Sequence, residues 1–92
     1  MKAIRWSDPA LGDLARIRDY LGPIDRQLAQ ATIAAVRDSV RRLRAWPESG
    51  PIVLDQGFRK LSVTRYRYVV VYRIEATHVI VLRVRHMAED WQ

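Results

Sequence analysis

The residues of this 92-residue chain that could do chemistry are two histidines, four serines and a large surplus of arginine. His78 and His86 stand at opposite ends of one expected strand, roughly 25 Å apart at the usual rise per residue. They cannot share a metal, and a hydrolytic metal site needs three or four converging ligands. Ser7, Ser39, Ser49 and Ser62 occur outside any nucleophile-elbow context, and no glycine-rich loop cradles a phosphate. Neither a metal nor a cofactor is expected. One route to catalysis remains. RNA can be cut without metal if a base activates the 2′-hydroxyl and cations stabilise the phosphorane. Arg59, Arg65, Arg67, Arg83, Arg85 and His86 fall near strand ends and could form such a cluster. A basic patch without placed aromatics is a weak signal for RNA. His78, beside a turn, reads as surface, and the plain reading of His86 is a hydrogen-bonded residue closing the core.

Charge widens the choice. Sixteen basic residues, fourteen of them arginine, face ten acidic ones, for a net charge of +6 and a pI near 10.5. Residues 58–92 carry seven basic and three acidic residues, against nine and seven before them, so the C-terminal part is the more electropositive. Such an excess is either a solvated surface or a site for a polyanionic or acidic partner, because arginine forks match phosphates and carboxylates. The chain has no cysteine, which suits a reducing compartment, and neither an apolar leader nor a membrane span is visible. A cytoplasmic protein with no membrane partner is expected.

These residues must be positioned by one domain spanning residues 1–92. Lys2–Trp6 reads as a first strand. Ser7-Asp8-Pro9 starts a helix, with Asp8 as the acceptor for free N–H groups and Pro9 in the first turn. Leu11, Leu14, Ile17 and Leu21 follow at helical spacing, with Asp13, Arg16 and Asp19 on the opposite side, and Gly22-Pro23 ends the helix through a left-handed cap. A second helix runs from about Asp25 to Ala45 with the stripe Ala29, Ile33, Val36, Val40 and Leu43. Pro47 stops it, and residues 48–51 read as loop. The short connection makes an antiparallel helical hairpin, whose apolar faces require a sheet.

Phe58–Thr64, Arg67–Glu75 and His78–Arg85, rich in Val, Ile and Tyr, supply that sheet. The expected class is α+β: a helical hairpin on a mainly antiparallel sheet of about four strands, in the order β-α-α-β-β-β. Alternation puts Tyr68, Val70, Tyr72 and Ile74, with Ile80, Leu82 and Val84, under the helices. The other face then holds Val69, Val71 and Arg73 beside Val79, Val81, Arg83 and Arg85. Four valines rimmed by arginine would form an apolar patch unless Trp91 folds back over it, and such patches mark partner surfaces.

The run Tyr66-Arg67-Tyr68-Val69-Val70-Val71-Tyr72-Arg73-Ile74, then Val79-Ile80-Val81-Leu82-Arg83-Val84-Arg85-His86, resembles the signature of ParE-type toxins in the ParE/RelE superfamily. Trp6, Asp8, Ala10, Asp13-Leu14, Ile17 and Tyr20 are similar to that family's first strand and helix, and Pro47, Arg59 and Leu61 also fit. The resemblance spans nearly the whole chain through order and spacing rather than any one motif. It implies a toxin held inactive by a cognate, acidic, ParD-like antitoxin, with DNA gyrase as the target of ParE members and mRNA on the ribosome as the target of RelE members. RelE-type enzymes place a catalytic arginine where this chain has Val69, and they end in tyrosine where this chain has Trp91. ParE relatives carry arginines where it has Ala88-Glu89-Asp90.

The resemblance therefore implies a non-enzymatic gyrase inhibitor with no catalytic residue. Arg59, Arg83, Arg85, His86 and Trp91 would contact the target, and Val69, Val71, Arg73, Val79 and Val81 the antitoxin. The alternatives are a metal-independent endoribonuclease using Arg65, Arg67, Arg85 and His86, or a protein-interaction domain without toxicity.

Overall fold

Ser7 begins the helical part of the chain. A computed structural model describes residues 1–53 and 57–90. After strand β1 (Ala3–Trp6) the Ser7 hydroxyl accepts from the Ala10 N–H at 3.2 Å and caps helix α1 (Asp8–Leu21). Ser7 rather than Asp8 is thus the cap, while Asp8 places a negative charge in the first turn, where the helix dipole favours one. Asp25 caps helix α2 (Arg26–Arg42) through the Leu28 N–H at 3.0 Å. The expected left-handed cap at Gly22 does not form: that residue is right-handed, with φ −55° and ψ −48°. Helix α2 gives way to tighter bonds at Leu43 and Arg44 before reaching Ala45.

Four more strands follow: β2 (Ile52–Val53), β3 (Phe58–Val63), β4 (Tyr68–Ile74) and β5 (His78–His86). Their spatial order is β1-β5-β4-β3-β2, antiparallel except where β1 runs parallel to β5. The two-residue β2 adds a fifth strand to the expected four. None of the helices among the described residues is long and apolar enough to cross a membrane.

The core lies between the hairpin and one sheet face. It joins Ala10, Leu14 and Ile17 of α1 and Val36, Val40 and Leu43 at α2 to Val63, Val70, Tyr72, Val79, Val81 and Val84. Val79 and Val81, expected on the opposite face, are 0% exposed beneath the helices. The cause is a β-bulge. Tyr72 pairs with Val81 but Val71 pairs with Arg83, so β5 carries one extra residue and its side-chain parity reverses. Ile80 and Leu82 are displaced from the core face while Val84 stays on it.

Val69 and Val71 do face away from the helices, yet they are only 6% and 7% exposed. The turn after β5 bends back, with the Met87 N–H on the Arg67 carbonyl at 2.7 Å. The Lys60 ammonium meets Asp90 at 3.0 Å, and Lys60 is the cross-strand neighbour of Val71. The open four-valine patch is therefore not formed.

Tyr72 fixes the connection from α2 to the sheet. Its buried hydroxyl donates to the Pro47 carbonyl at 2.7 Å and accepts from the Gly50 N–H at 2.9 Å. A Cβ at Gly50 would stand 2.6 Å from the Lys60 carbonyl oxygen, so only glycine fits there.

Candidate functional site

Where β1 ends and α1 turns away, the second half of β5, from Leu82 onward, loses its parallel neighbour. Side chains take over that edge. The Ser7 hydroxyl donates to the Leu82 carbonyl at 2.9 Å, and the Asp13 carboxylate accepts from the Val84 N–H at 2.8 Å. Asp13 also accepts from Arg83 Nε at 2.9 Å and Nη2 at 3.0 Å, a two-pronged pair, and from Arg16 at 3.0 Å. Burial alone would raise the Asp13 carboxyl. The Arg83 and Val84 hydrogen bonds, with the charges of Arg83 and Arg16, outweigh it and hold the group below its ordinary value. The same hydrogen bond to Asp13 raises Arg83 further.

This contradicts the expected helical wheel. Asp13 is 3% exposed and belongs to the inner stripe Ala10, Asp13, Leu14 and Ile17, while Leu11 is 45% exposed. The signal was present, since those four residues have helical i, i+3, i+4, i+7 spacing. Ranking by hydropathy placed the aspartate outside.

Next to this carboxylate, α1 and the adjoining ends of β4 and β5 enclose a cleft of about 400 Å³ with Tyr20, Tyr68, His86, Glu89 and Arg16 around it. Tyr68 is directly opposite His86 in the ladder, and the two rings meet edge to face with centroids 5.2 Å apart. His86 Nδ1 accepts from the Ala88 N–H at 3.0 Å, so a neutral ring carries its proton on Nε2. The backbone N–H of His86 is 3.3 Å from Glu89 Oε1. Burial, then the negative charge of Glu89 and the neighbouring Tyr20, raise the Tyr68 phenol, which therefore keeps its proton at neutral pH. A histidine, a carboxylate and an arginine beside two phenols have the composition of an acid–base site.

The other expected site residues separate around this cleft. Arg83 is bound to Asp13. Arg59 donates to the Gly50 carbonyl at 2.9 Å and helps hold the loop that Tyr72 anchors. Arg85 pairs with Val69 on the strand position next to His86 and so projects to the opposite face. Arg65 lies over the Tyr66 ring at 5.5 Å. Arg67 adopts a left-handed backbone, φ 63°, in the turn that leads into Tyr68. Arg67 and His86 are thus neighbours at one end of the sheet, Arg65 is just beyond, and Arg73 is exposed near the other end. Trp91 lies outside the described residues. His78 hydrogen-bonds Thr77 at 3.0 Å, far along β5 from His86. No group of three His, Asp or Glu side chains among the described residues could hold a metal ion. Arg16, Tyr20, Tyr68 and Glu89 were read from the sequence as helix, strand and tail positions and not as site residues, because their convergence depends on how α1 crosses the strand ends.

The family model for the ParE toxin of the type II toxin–antitoxin system, parDE, matches residues 4–91. Toxin RelE2 of Caulobacter vibrioides is 32% identical over 88 residues, which is 96% of this chain and 98% of that protein. Among solved structures, the fold is similar to the chromosomal ParDE system from P. aeruginosa, with a TM-score of 0.82 and 21% identity over 94% of this chain and 96% of that one. The RelBE2 toxin–antitoxin complex from Mycobacterium tuberculosis aligns with a TM-score of 0.68 and 25% identity, covering 92% and 96% of the two chains.

Proposed function

Because the chain belongs to the ParE toxin family and is the toxin of a type II toxin–antitoxin system, we propose that it acts by binding DNA gyrase. In this reading a cognate antitoxin holds it inactive, and no side chain performs chemistry. The observation that carries the reading is the partition of the arginines around His86. A phosphorane needs cations gathered at the base. Arg83 and Arg59 are taken up by the chain's own acceptors, Arg85 projects across the sheet, and Val69 stands where RelE-type enzymes place an arginine. The basic groups at that end, exposed Arg65 and Arg67 and half-buried Arg85, then serve with His86 as a contact surface for the target.

A second reading, ribonuclease action, is favoured by the cleft itself, in which His86, Glu89, Arg16 and two tyrosines stand together. The relative named Toxin RelE2 adds to it. Purified chain assayed for gyrase supercoiling, beside incubation with RNA and ribosomes, separates the two. The expected result is lost supercoiling with intact RNA. Arg85→Ala and His86→Ala should each weaken inhibition in a graded way, by about 1–3 kcal/mol. RNA fragments that disappear with His86→Ala, beside undisturbed supercoiling, would overturn the first reading in favour of the second. Induction that leaves growth unaffected would favour an interaction domain without toxicity.

A further inference from the structure

Three ionised side chains line the cleft between α1 and the ends of β4 and β5: Asp13, Arg16 and Glu89. Asp13 is fully engaged. Its two oxygens accept from Arg83 Nε and Nη2, from Arg16 Nη2 and from the Val84 N–H, at 2.8–3.0 Å. That arrangement takes up both guanidinium groups near the cleft. Glu89 is left over. Among the described residues its carboxylate forms no ion pair and accepts only from the His86 backbone N–H, at 3.3 Å. A chain of net charge +6 thus presents, in this one cleft, an exposed carboxylate without a counter-ion.

The walls around Glu89 are flat and uncharged. His86 Nδ1 accepts from the Ala88 N–H at 3.0 Å, so that its ring is neutral, and the ring meets Tyr68 edge to face. The Tyr68 phenol keeps its proton, because burial and then the charge of Glu89 raise it. Tyr20, 70% exposed, adds a second phenol on the open side. Buried Ile17 and Val84 give the cleft an apolar floor.

Aromatic faces around a carboxylate attract a cation. A guanidinium suits them best, since it is planar, stacks on rings, forks onto a carboxylate and sheds water readily. A phosphate is a poor occupant. It would meet the like charge of Glu89, while the two guanidinium groups that could offset it are held by Asp13. The surroundings narrow the source of the cation. Arg65, Arg67 and Arg85 make the same end of the sheet basic, so a partner seated there is acidic over that surface and must bring its one cation to the cleft. Charges of both signs then fix the register of the contact.

We propose that the cleft seats an arginine side chain of the target protein, with its guanidinium on Glu89 and against the Tyr68 and His86 rings, and its alkyl stem along Tyr20. The proposal rests on the reading that the target is a protein, gyrase, rather than RNA. It gives Glu89 and the two tyrosines a part in recognition and asks no chemistry of them.

Two measurements on the full chain test it. In the first, butylguanidinium and the neutral, similarly shaped butylurea are titrated while the side-chain NMR signals of Tyr20, Tyr68 and His86 are followed. Butylguanidinium should shift all three saturably. Butylurea, or butylguanidinium added to Glu89→Gln, should bind at least about tenfold more weakly. In the second, Glu89→Gln should need about tenfold more toxin to block gyrase supercoiling, with an unchanged thermal midpoint and with Glu89→Asp falling between. Equal responses to the two probes, a response that survives in Glu89→Gln, or wild-type inhibition by folded Glu89→Gln would overturn the arginine site and leave the gyrase reading standing. Shifts produced by inorganic phosphate and not by butylguanidinium would overturn it in favour of an RNA cleft. A wild-type chain that leaves supercoiling untouched would remove the gyrase reading and the proposal with it.

Discussion

Arginine does opposite jobs in two regions of this molecule. At the seam of α1 and β5, Arg83 closes on a carboxylate that is 3% exposed, and the same carboxylate satisfies a strand N–H left open by the departure of β1. Along α2, Arg37 and Arg44 are exposed and face an unpaired sheet edge. The first region uses charge to complete the fold; the second leaves it exposed to solvent. The lesson is that an arginine surplus says little until the acceptors are located. A cation beside a buried carboxylate fastens the chain, whereas the same cation over an open edge leaves its attraction available to a partner.

The sharpest way to break this comparison is to remove one member of each region. Asp13→Ala leaves the Val84 N–H without its acceptor and Arg83 without its counter-ion. It should lower unfolding free energy by about 3 kcal/mol. Arg37→Ala, on an exposed helix surface, should cost less than about 0.5 kcal/mol. Denaturant unfolding of the two variants measures the contrast, and equal losses would show that the seam is no more structural than the rim.

Acid should sharpen it further. The Asp13 carboxyl is held below its ordinary value of 3.8 in the folded chain. A depressed pKa contributes stability that is fully present above the unfolded value and is lost as pH falls through the folded one. Unfolding followed from about pH 5 downward should therefore show wild type losing a contribution that Asp13→Asn never had. Parallel acid profiles for the two proteins would remove Asp13 as the source.

The smallest effect belongs to the rim. Asp38 bonds Arg41 at 2.7 Å, with both side chains well exposed. Asp38→Asn should cost about 0.5 kcal/mol of stability or less, the scale of an exposed ion pair. Denaturant unfolding would read this, and a loss of several kcal/mol would mean that the pair helps hold the fold.

Much of the architecture was legible in the chain itself. Serine and aspartate before apolar periodic runs mark the starts of both helices, and the Val-, Ile- and Tyr-rich segments mark β3, β4 and β5. Leu14, Val36 and Tyr72 read as core and are core. The two-residue β2 escaped notice because a strand that short has no period to detect, and it exists only through pairing with β3. The candidate cleft was legible only at His86. Its tyrosines, Arg16 and Glu89 come from separate elements, and nothing in their spacing announces that they meet.

What the sequence by itself determined is everything that depends on near neighbours along the chain: helix caps, turns, the alternation within β4, and the order of elements. What only the tertiary structure decided is everything that depends on a residue's partner across space. The bulge at Leu82 is one case, since a strand's face is set by its hydrogen-bonding neighbour and a single extra residue turned Val79 and Val81 inward. Asp13 is the other. A carboxylate prefers water unless an acceptor-seeking group is brought to it in burial. Only the folded chain brings the Val84 N–H and the Arg83 guanidinium, seventy positions later in sequence, within 3 Å of it.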